Sequence, residues 1–441
     1  MDHLEIQEYL LDFQKRALPE LAERELEVNK SKKIKSIIGP RRAGKTSFLL
    51  KKIGELIVSG VEKERILYLN FEDPRLVDVH FKEIRDIIKI HWQLYPASIS
   101  KKCIIFFDEP QMIDNWEIAV RALHDEGFEI YLTGSSSRLL SREISTSLRG
   151  RTLSYLLLPF SFKEFLEMEH PGFDPNRLGS MEKSLLKGLL DQYLEFGGFP
   201  EIILEENPET RLRILSEYFN LVVYRDVVER YKIKNTQLIK WLVKSLTVSY
   251  SKEFSVHKQY LTLKSKGIKV SKNTLYSYLS MLEDSVFVFL VPRFDYSIRK
   301  RDLSIHKVYL CDVGFARLTE ISRDYGRKME NVVFLELERR KRALTDIFYW
   351  KNPQQEEVDF VVQTGGRVEQ LIQVCRDVED LDVKKREVRA LVKASDQLEC
   401  DDLLVITGDY DSVEEHKGKS IRFIPLWMWM TLECHSVRNG L

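Results

Sequence analysis

The stretch at residues 36–50, SIIGPRRAGKTSFLL, places Gly39, Gly44, Lys45 and Thr46 in the pattern G-x-x-x-x-G-K-[ST]. Glycines at those places let successive backbone N–H groups turn inward around a phosphate chain. The helix that follows adds its positive N-terminus. The loop runs through Gly39, Pro40, Arg41, Arg42, Ala43, Gly44, Lys45, Thr46 and Ser47. Lys45 is placed to reach β- and γ-phosphates, and the Thr46 hydroxyl to ligate Mg²⁺. The implied ligands are ATP and Mg²⁺.

A second stretch, CIIFFDEP at 103–110, is an apolar run ending in two acids. Asp108 is placed to anchor Mg²⁺ through its water shell. Glu109 stands where a carboxylate orients an attacking water. A protein that only stored nucleotide would not need Glu109; the plainer alternative is a solvated acid at a strand end. YLTGSSSRLL offers Thr133 and Ser135 as sensors of a γ-phosphate, or else simply a turn of small residues. SLRGR brings Arg149 and Arg151. In a homo-oligomer such arginines can reach a neighbour's γ-phosphate; the alternative is surface charge.

These residues need a rigid frame. Short apolar runs, IKSII (34–38), ILYLN (66–70), CIIFF (103–107), FEIYLT (128–133) and LSYLLL (153–158), alternate with helical stretches. Nearly continuous apolar strands belong to a parallel sheet covered on both faces. Five of them, with a phosphate loop after the first, predict a doubly wound α/β core. The fourth strand is expected between the two that carry the motifs, with its tip at the γ-phosphate.

GPRRAGKT, NFEDPR, FFDEPQ, LTGSSS, SLRGR, LLPFSFKEF and FGGFPE occur in this order along the chain. In that order the chain resembles a large prokaryotic and archaeal family of P-loop ATPases of the AAA+ class that carry a C-terminal domain of unknown function. The resemblance implies a five-stranded AAA+/ASCE core and an ATPase site. It also implies that Arg41 and Arg42 are usual loop residues.

Beyond the core, residues 161–236 read as a helical lid, with FGGFP suited to a hinge. Residues 237–305 read as a winged helix: LIKWLVKSLTVSY, then VHKQYLTLKSKG, then SKNTLYSYLSMLEDS with Ser271 as N-cap, and VFVFLVPRFDYS as wing strands. Lys252, Lys258, Lys264, Lys266, Lys269 and Lys272 stand there against a single acid, Glu253, and Arg293, Arg299, Lys300 and Arg301 follow. A local basic surface of that kind fits DNA phosphates, with Lys264, Lys266, Lys269, Lys272 and Arg293 as contacts. The alternative is a protein-binding winged helix.

Residues 306–441 are expected to fold as αβββαβ and resemble the restriction-endonuclease fold with its PD-(D/E)XK site. Glu336 and Asp359 match the first acids. The third-strand motif departs from the pattern, reading Gln373-Val374-Cys375. The change removes one anionic ligand and the lysine, and an Asp beside a neutral amide holds a hard cation weakly. A degenerate site of Glu336, Asp359, Gln373 and Cys375 in a structural or DNA-docking domain is expected; a shifted site using Glu356 or Glu357 is the alternative.

The full division is then 1–30 N-terminal helical segment, 31–160 ATPase core, 161–236 lid, 237–305 winged helix and 306–441 endonuclease-like domain. Lys+Arg and Asp+Glu are equal at 68 each, so affinity for nucleic acid has to come from a local patch. Five scattered cysteines read as reduced cytoplasmic thiols. The apolar runs are too short for a membrane span. Three readings follow: an Mg²⁺-dependent ATPase coupled to DNA, a nucleotide-dependent switch that binds proteins, and an ATP-regulated nuclease.

Overall fold

The computed structural model describes residues 2–101, 103–134, 148, 150–173, 179–319 and 324–431. They fall into two compact units: Met1–Leu157 with Asp284–Val286, and Leu158–Glu283 with Phe287–Leu441.

The first unit holds a five-stranded sheet in the order β2-β3-β4-β1-β5. Its strands are β1 (Ile34–Ile38), β2 (Ile66–Asn70), β3 (Ile104–Asp108), β4 (Glu129–Gly134) and β5 (Thr152–Leu156). All pairings are parallel. The apolar runs divide by alternation. Ile34, Ile38, Leu67, Leu69, Ile105, Phe107, Ile130 and Leu132 face one cluster, with helices Ile84–Leu94 and Trp116–Asp125. Ile37, Ile66, Tyr68, Ile104, Phe106 and Tyr131 face the other, with helix Lys45–Val58. Both faces are dry, which is why the strands read as unbroken hydrophobic runs. As expected, β4 lies between β1 and β3. The N-terminal helix His3–Lys15 belongs to this unit, burying Ile6, Tyr9, Leu10 and Phe13.

In the second unit, helices Phe162–Glu169 and Ser180–Phe196 pack against Leu426–Thr431 near the end of the chain. The stretch expected to be a hinge is clamped. Gly198 N–H donates to Asp312 Oδ2 at 2.8 Å. A Cβ on Gly197 would meet Asp312 Oδ1 at 1.7 Å, and one on Gly198 the Phe160 carbonyl oxygen at 2.2 Å. These glycines serve close packing rather than motion.

Further on the order is helix Thr236–Val248, β6 (Lys252–Phe254), helix Val256–Ser265, helix Lys272–Asp284, β7 (Val288–Val291) and β8 (His306–Leu310). The antiparallel sheet runs β6-β8-β7. The partner strand of β7 is therefore not within VFVFLVPRFDYS, where the sequence pattern expects both wing strands. It is HKVYL, which the sequence pattern assigns to the start of the last domain. Helix Ile298–Asp302 fills the connection.

The expected αβββαβ order follows: helix Tyr325–Arg339, β9 (Thr345–Lys351), β10 (Glu357–Thr364), β11 (Arg367–Cys375), helix Leu381–Leu398 and β12 (Leu403–Thr407). A hairpin of β13 (Ser412–His416) and β14 (Lys419–Pro425) extends the six-stranded sheet, in the order β13-β14-β12-β11-β10-β9. Among the described residues no helix is long and apolar enough to cross a membrane. Cys103, Cys311, Cys375 and Cys400 are buried free thiols, and Cys434 lies outside the described residues.

Candidate active site

The phosphate loop joins β1 to helix Lys45–Val58, with Arg42 and Gly44 in left-handed conformations at φ 68° and 91°. Gly39 admits no side chain: a Cβ would come within 2.0 Å of the Leu157 carbonyl oxygen. Lys45 is buried, and its Nζ donates to the carbonyls of Gly39 at 3.3 Å and Pro40 at 3.1 Å. It also lies 3.9 Å from Glu109 Oε1. Thr46 and Ser47 are exposed at the helix start, and Arg41 Nη1 lies 3.6 Å from Glu72.

Asp108 ends β3 and is buried. Tyr68 Oη donates to its Oδ2 at 2.8 Å, the Thr133 hydroxyl donates to its Oδ1, and the Thr46 hydroxyl bonds it as well. Burial pushes the Asp108 carboxyl above its ordinary value against these hydroxyl donors, which favour the anion. Burial, reinforced by the Asp108 charge, raises the Tyr68 phenol far above its ordinary range, so it remains a neutral donor.

Glu109 takes the left-handed conformation at φ 52°, uncommon for a residue with a side chain. Its N–H donates to Thr133 Oγ1 at 3.2 Å, and the Gln111 amide donates to its carboxylate. Thr133, at the tip of β4, thus touches both acids. Lys45, Thr46, Asp108, Glu109 and Thr133 converge at one edge of the sheet, where β1, β4 and β3 end. This donor set suits a triphosphate with a hard cation: a buried ammonium, a hydroxyl and a carboxylate around a loop with no room for a Cβ at Gly39. Ser135 and Arg149 lie outside the described residues. Arg151 is held within its own chain, Nε to Asp125 Oδ1 at 2.7 Å and Nη2 to Oδ2 at 3.1 Å.

In the second unit, Lys264, Lys266, Lys269, Lys272 and Arg293 are all exposed. Lys272 Nζ sits 5.5 Å from the centre of the Tyr260 ring. Arg301 is spent on packing, 4.5 Å from the Phe348 ring centre and 5.1 Å from that of Phe294.

The acids of the last domain assemble differently from expectation. Glu336 turns to its own helix, bonding Arg340 Nε at 2.7 Å, and does not join Asp359. The helix acid near Asp359 is Glu330. Lys307, from β8, places Nζ 2.6 Å from Glu357, 2.9 Å from Glu330 and 3.0 Å from Asp359. A cation thus stands beside Asp359, although the third strand lacks its lysine. Gln373 accepts from Asp359 N–H at 3.2 Å and donates to Glu387 at 2.6 Å. Asp359 sits at a shift in the β9–β10 register and accepts from Val374 N–H at 3.0 Å. Burial opposes charge on Lys307, but Glu330, Asp359 and Glu357 hold the ammonium well above its ordinary pKa. Burial raises both Glu330 and Asp359. Cys375 donates to the Asp377 carbonyl at 3.5 Å, and burial pushes its thiol up to about 11. Glu356 is taken up by Arg389 and Lys393.

Residues 31–166 match a family described as an AAA domain. Residues 187–324 match a domain of unknown function (DUF8612), and 325–429 another (DUF4143). An uncharacterized protein of Methanocaldococcus jannaschii is 38% identical over 403 residues, covering 90% of this chain and 88% of the relative. The chain belongs to the family of that archaeal protein. An uncharacterized protein of Haemophilus influenzae is 28% identical over 398 residues, covering 90% of this chain and 94% of its own. Among solved structures, Cdc6p of Pyrobaculum aerophilum is 12% identical, with 58% of this chain and 80% of that one covered and a TM-score of 0.26. AMPPCP-bound DnaA of Aquifex aeolicus is 13% identical, with 56% and 81% covered and a TM-score of 0.24. Likeness at that level says nothing about this chain's chemistry.

This chain thus carries an AAA-type domain ahead of the two domains of unknown function. Three residues of consequence escape sequence reasoning: Tyr68, Lys307 and Glu330. Tyr68 sits one strand away from its partner. Lys307 and Glu330 lie 52 and 29 positions before Asp359, with no motif linking them.

Proposed function

We propose that this chain is an ATPase that couples hydrolysis to DNA. The observation that carries the reading is the convergence of Lys45, Asp108, Glu109 and Thr133 on one sheet edge. Lys45 binds the β- and γ-phosphates. Glu109 takes a proton from the attacking water as its oxygen bonds the γ-phosphorus and the bond to ADP breaks. Thr133 ties the state of that phosphate to both acids. Thr46 and Asp108 would hold magnesium, which supplies charge neutralisation on the phosphates when bound. Arg151 acts in trans only in an oligomer that draws it away from Asp125.

Support for DNA comes from the order helix, β6, helix, helix, β7, β8, which is that of a winged helix, and from its exposed lysines. The last domain is read as endonuclease-like and structural, because Lys307 occupies the acids that a metal would need. It should therefore leave linear, supercoiled and branched DNA intact with Mg²⁺ or Mn²⁺. Cleavage by the intact chain, abolished in Asp359→Ala, would overturn that reading.

The ATPase test is Glu109→Gln, whose amide accepts no proton. It should keep ATP affinity and lose turnover by about 10²–10⁴-fold. Turnover equal to the parent's removes Glu109 from the mechanism. Duplex DNA should accelerate hydrolysis, and its binding should weaken steeply with salt. Replacing Lys266, Lys269 and Lys272 by Ala should flatten that slope by about 0.9 for each DNA phosphate that is no longer neutralised. An unchanged slope places DNA elsewhere or nowhere.

A further inference from the structure

Besides the Thr46 hydroxyl, the Asp108 carboxylate accepts from a hydroxyl on each oxygen, and these two hydroxyls come from different strands. Thr133 on β4 donates to Oδ1, and Tyr68 on β2 donates to Oδ2 at 2.8 Å. The plane of a carboxylate turns about a soft torsion. Hydroxyls on opposite sides fix that plane, and with about four lone-pair positions the group keeps others for a ligand.

Tyr68 is itself immobilised. Its ring stacks on Phe13 of the first helix, with centroids 5.2 Å apart and planes 28° apart. Lys63 Nζ lies 5.3 Å from the centre of the Phe13 ring. Two residues further along β2, Asn70 N–H donates to Tyr9 Oη at 2.9 Å, pinning the strand end to the same helix. The N-terminal helix, which carries no chemical motif, thereby buttresses the side chain that orients the second motif.

We propose that Tyr68 is a positioning residue, holding Asp108 in the orientation that the divalent cation of the nucleotide site requires. The proposal rests on the ATPase reading of that site. In this role Tyr68 acts through Asp108, the group its hydroxyl bonds. A partner of this kind is typically worth about 10–100-fold in metal affinity.

The experiment uses the full chain with a non-hydrolysable ATP analogue. Mn²⁺ binding is titrated by electron paramagnetic resonance, and affinity for a fluorescent ATP analogue is measured in EDTA. Tyr68→Phe keeps the ring stack and removes only the hydroxyl. It should weaken Mn²⁺ binding by about 10-fold and leave affinity in EDTA unchanged. Unchanged Mn²⁺ affinity overturns the proposal. So does an equal loss in EDTA, which would mean that the whole pocket had been disturbed. Asp108→Asn separates this inference from its foundation. If Asp108→Asn loses Mn²⁺ and Tyr68→Phe does not, only the positioning role falls. If neither loses it, the cation site is misassigned and both readings fall.

Discussion

Gly39 shows why the phosphate loop is legible from residue types alone. Its place is set by a backbone oxygen, Leu157 O, that leaves a Cβ only 2.0 Å. Neither atom belongs to a flexible side chain, so the conflict cannot be relieved cheaply. Gly39→Ala should therefore destabilise the first unit by about 1–3 kcal/mol, the usual cost of overpacking. Its affinity for ATP should fall further than that of a variant equally destabilised elsewhere in the sheet. Thermal melting with and without ATP checks both; an unchanged midpoint and affinity would show that the loop yields. Asp108 and Glu109 are legible for a related reason: two adjacent acids close an otherwise apolar run, a pattern that residue types alone display. Lys307 is not. Its three carboxylates lie on one helix and one strand, and pairing of that kind leaves no period or spacing in the sequence.

At the scale of elements, the parallel strands are read within one or two residues of their ends, because a sheet dry on both faces writes itself as unbroken apolar runs. The three-stranded sheet is read less well. VFVFLV marks β7, but its partner β8 comes after a helical connection, and only pairing tells to which sheet it belongs. FGGFP misleads in the same way. Glycines mark either freedom or crowding, and here Asp312 does the crowding. Its carboxyl accepts from Gly198 N–H and Gly314 N–H, each at 2.8 Å, and burial pushes its pKa up to about 7. The ordinary value is 3.8, so the shift is upward. Its contribution to stability is fully present below about pH 4 and is lost as pH rises through about 7. Asp312→Asn cannot ionise and turns a donor toward one of the two N–H groups. It should cost about 1–3 kcal/mol at pH 5, and the gap to the parent should narrow by pH 8. Melting midpoints of both proteins across that range test the sign. A gap that widens with pH would contradict the buried-acid account.

At the scale of the whole second unit, the two domains of unknown function are sewn into one body by polar bonds as well as apolar packing. Arg327 Nε donates to the Tyr250 carbonyl at 2.9 Å, and Asn331 exchanges hydrogen bonds with the Leu310 backbone at 2.8 and 3.1 Å. Tyr349 Oη donates to Glu253 at 3.0 Å, and Phe294 N–H to the Tyr349 carbonyl at 2.7 Å. Lys307 is the centre of this seam. It leaves the β6-β8-β7 sheet to neutralise Glu330, Glu357 and Asp359 of the last domain, where burial makes bare carboxylates costly. With its pKa held high, the ammonium is present throughout the working range, and so is its contribution to stability. Lys307→Met fills the same volume but leaves the carboxylates without their cation. Breaking one side of a buried ion pair typically costs about 3–5 kcal/mol. The loss should be largest at pH 8, where the abandoned acids must ionise or stay protonated against the solvent, and smaller at pH 5, where protonation relieves them. Nucleotide binding by the first unit should survive wherever the chain remains folded. Calorimetric scans at the two pH values, with and without an ATP analogue, measure all three expectations. A variant as stable as the parent at pH 8 would mean that the acids never depended on Lys307, and that apolar packing alone holds the two domains together.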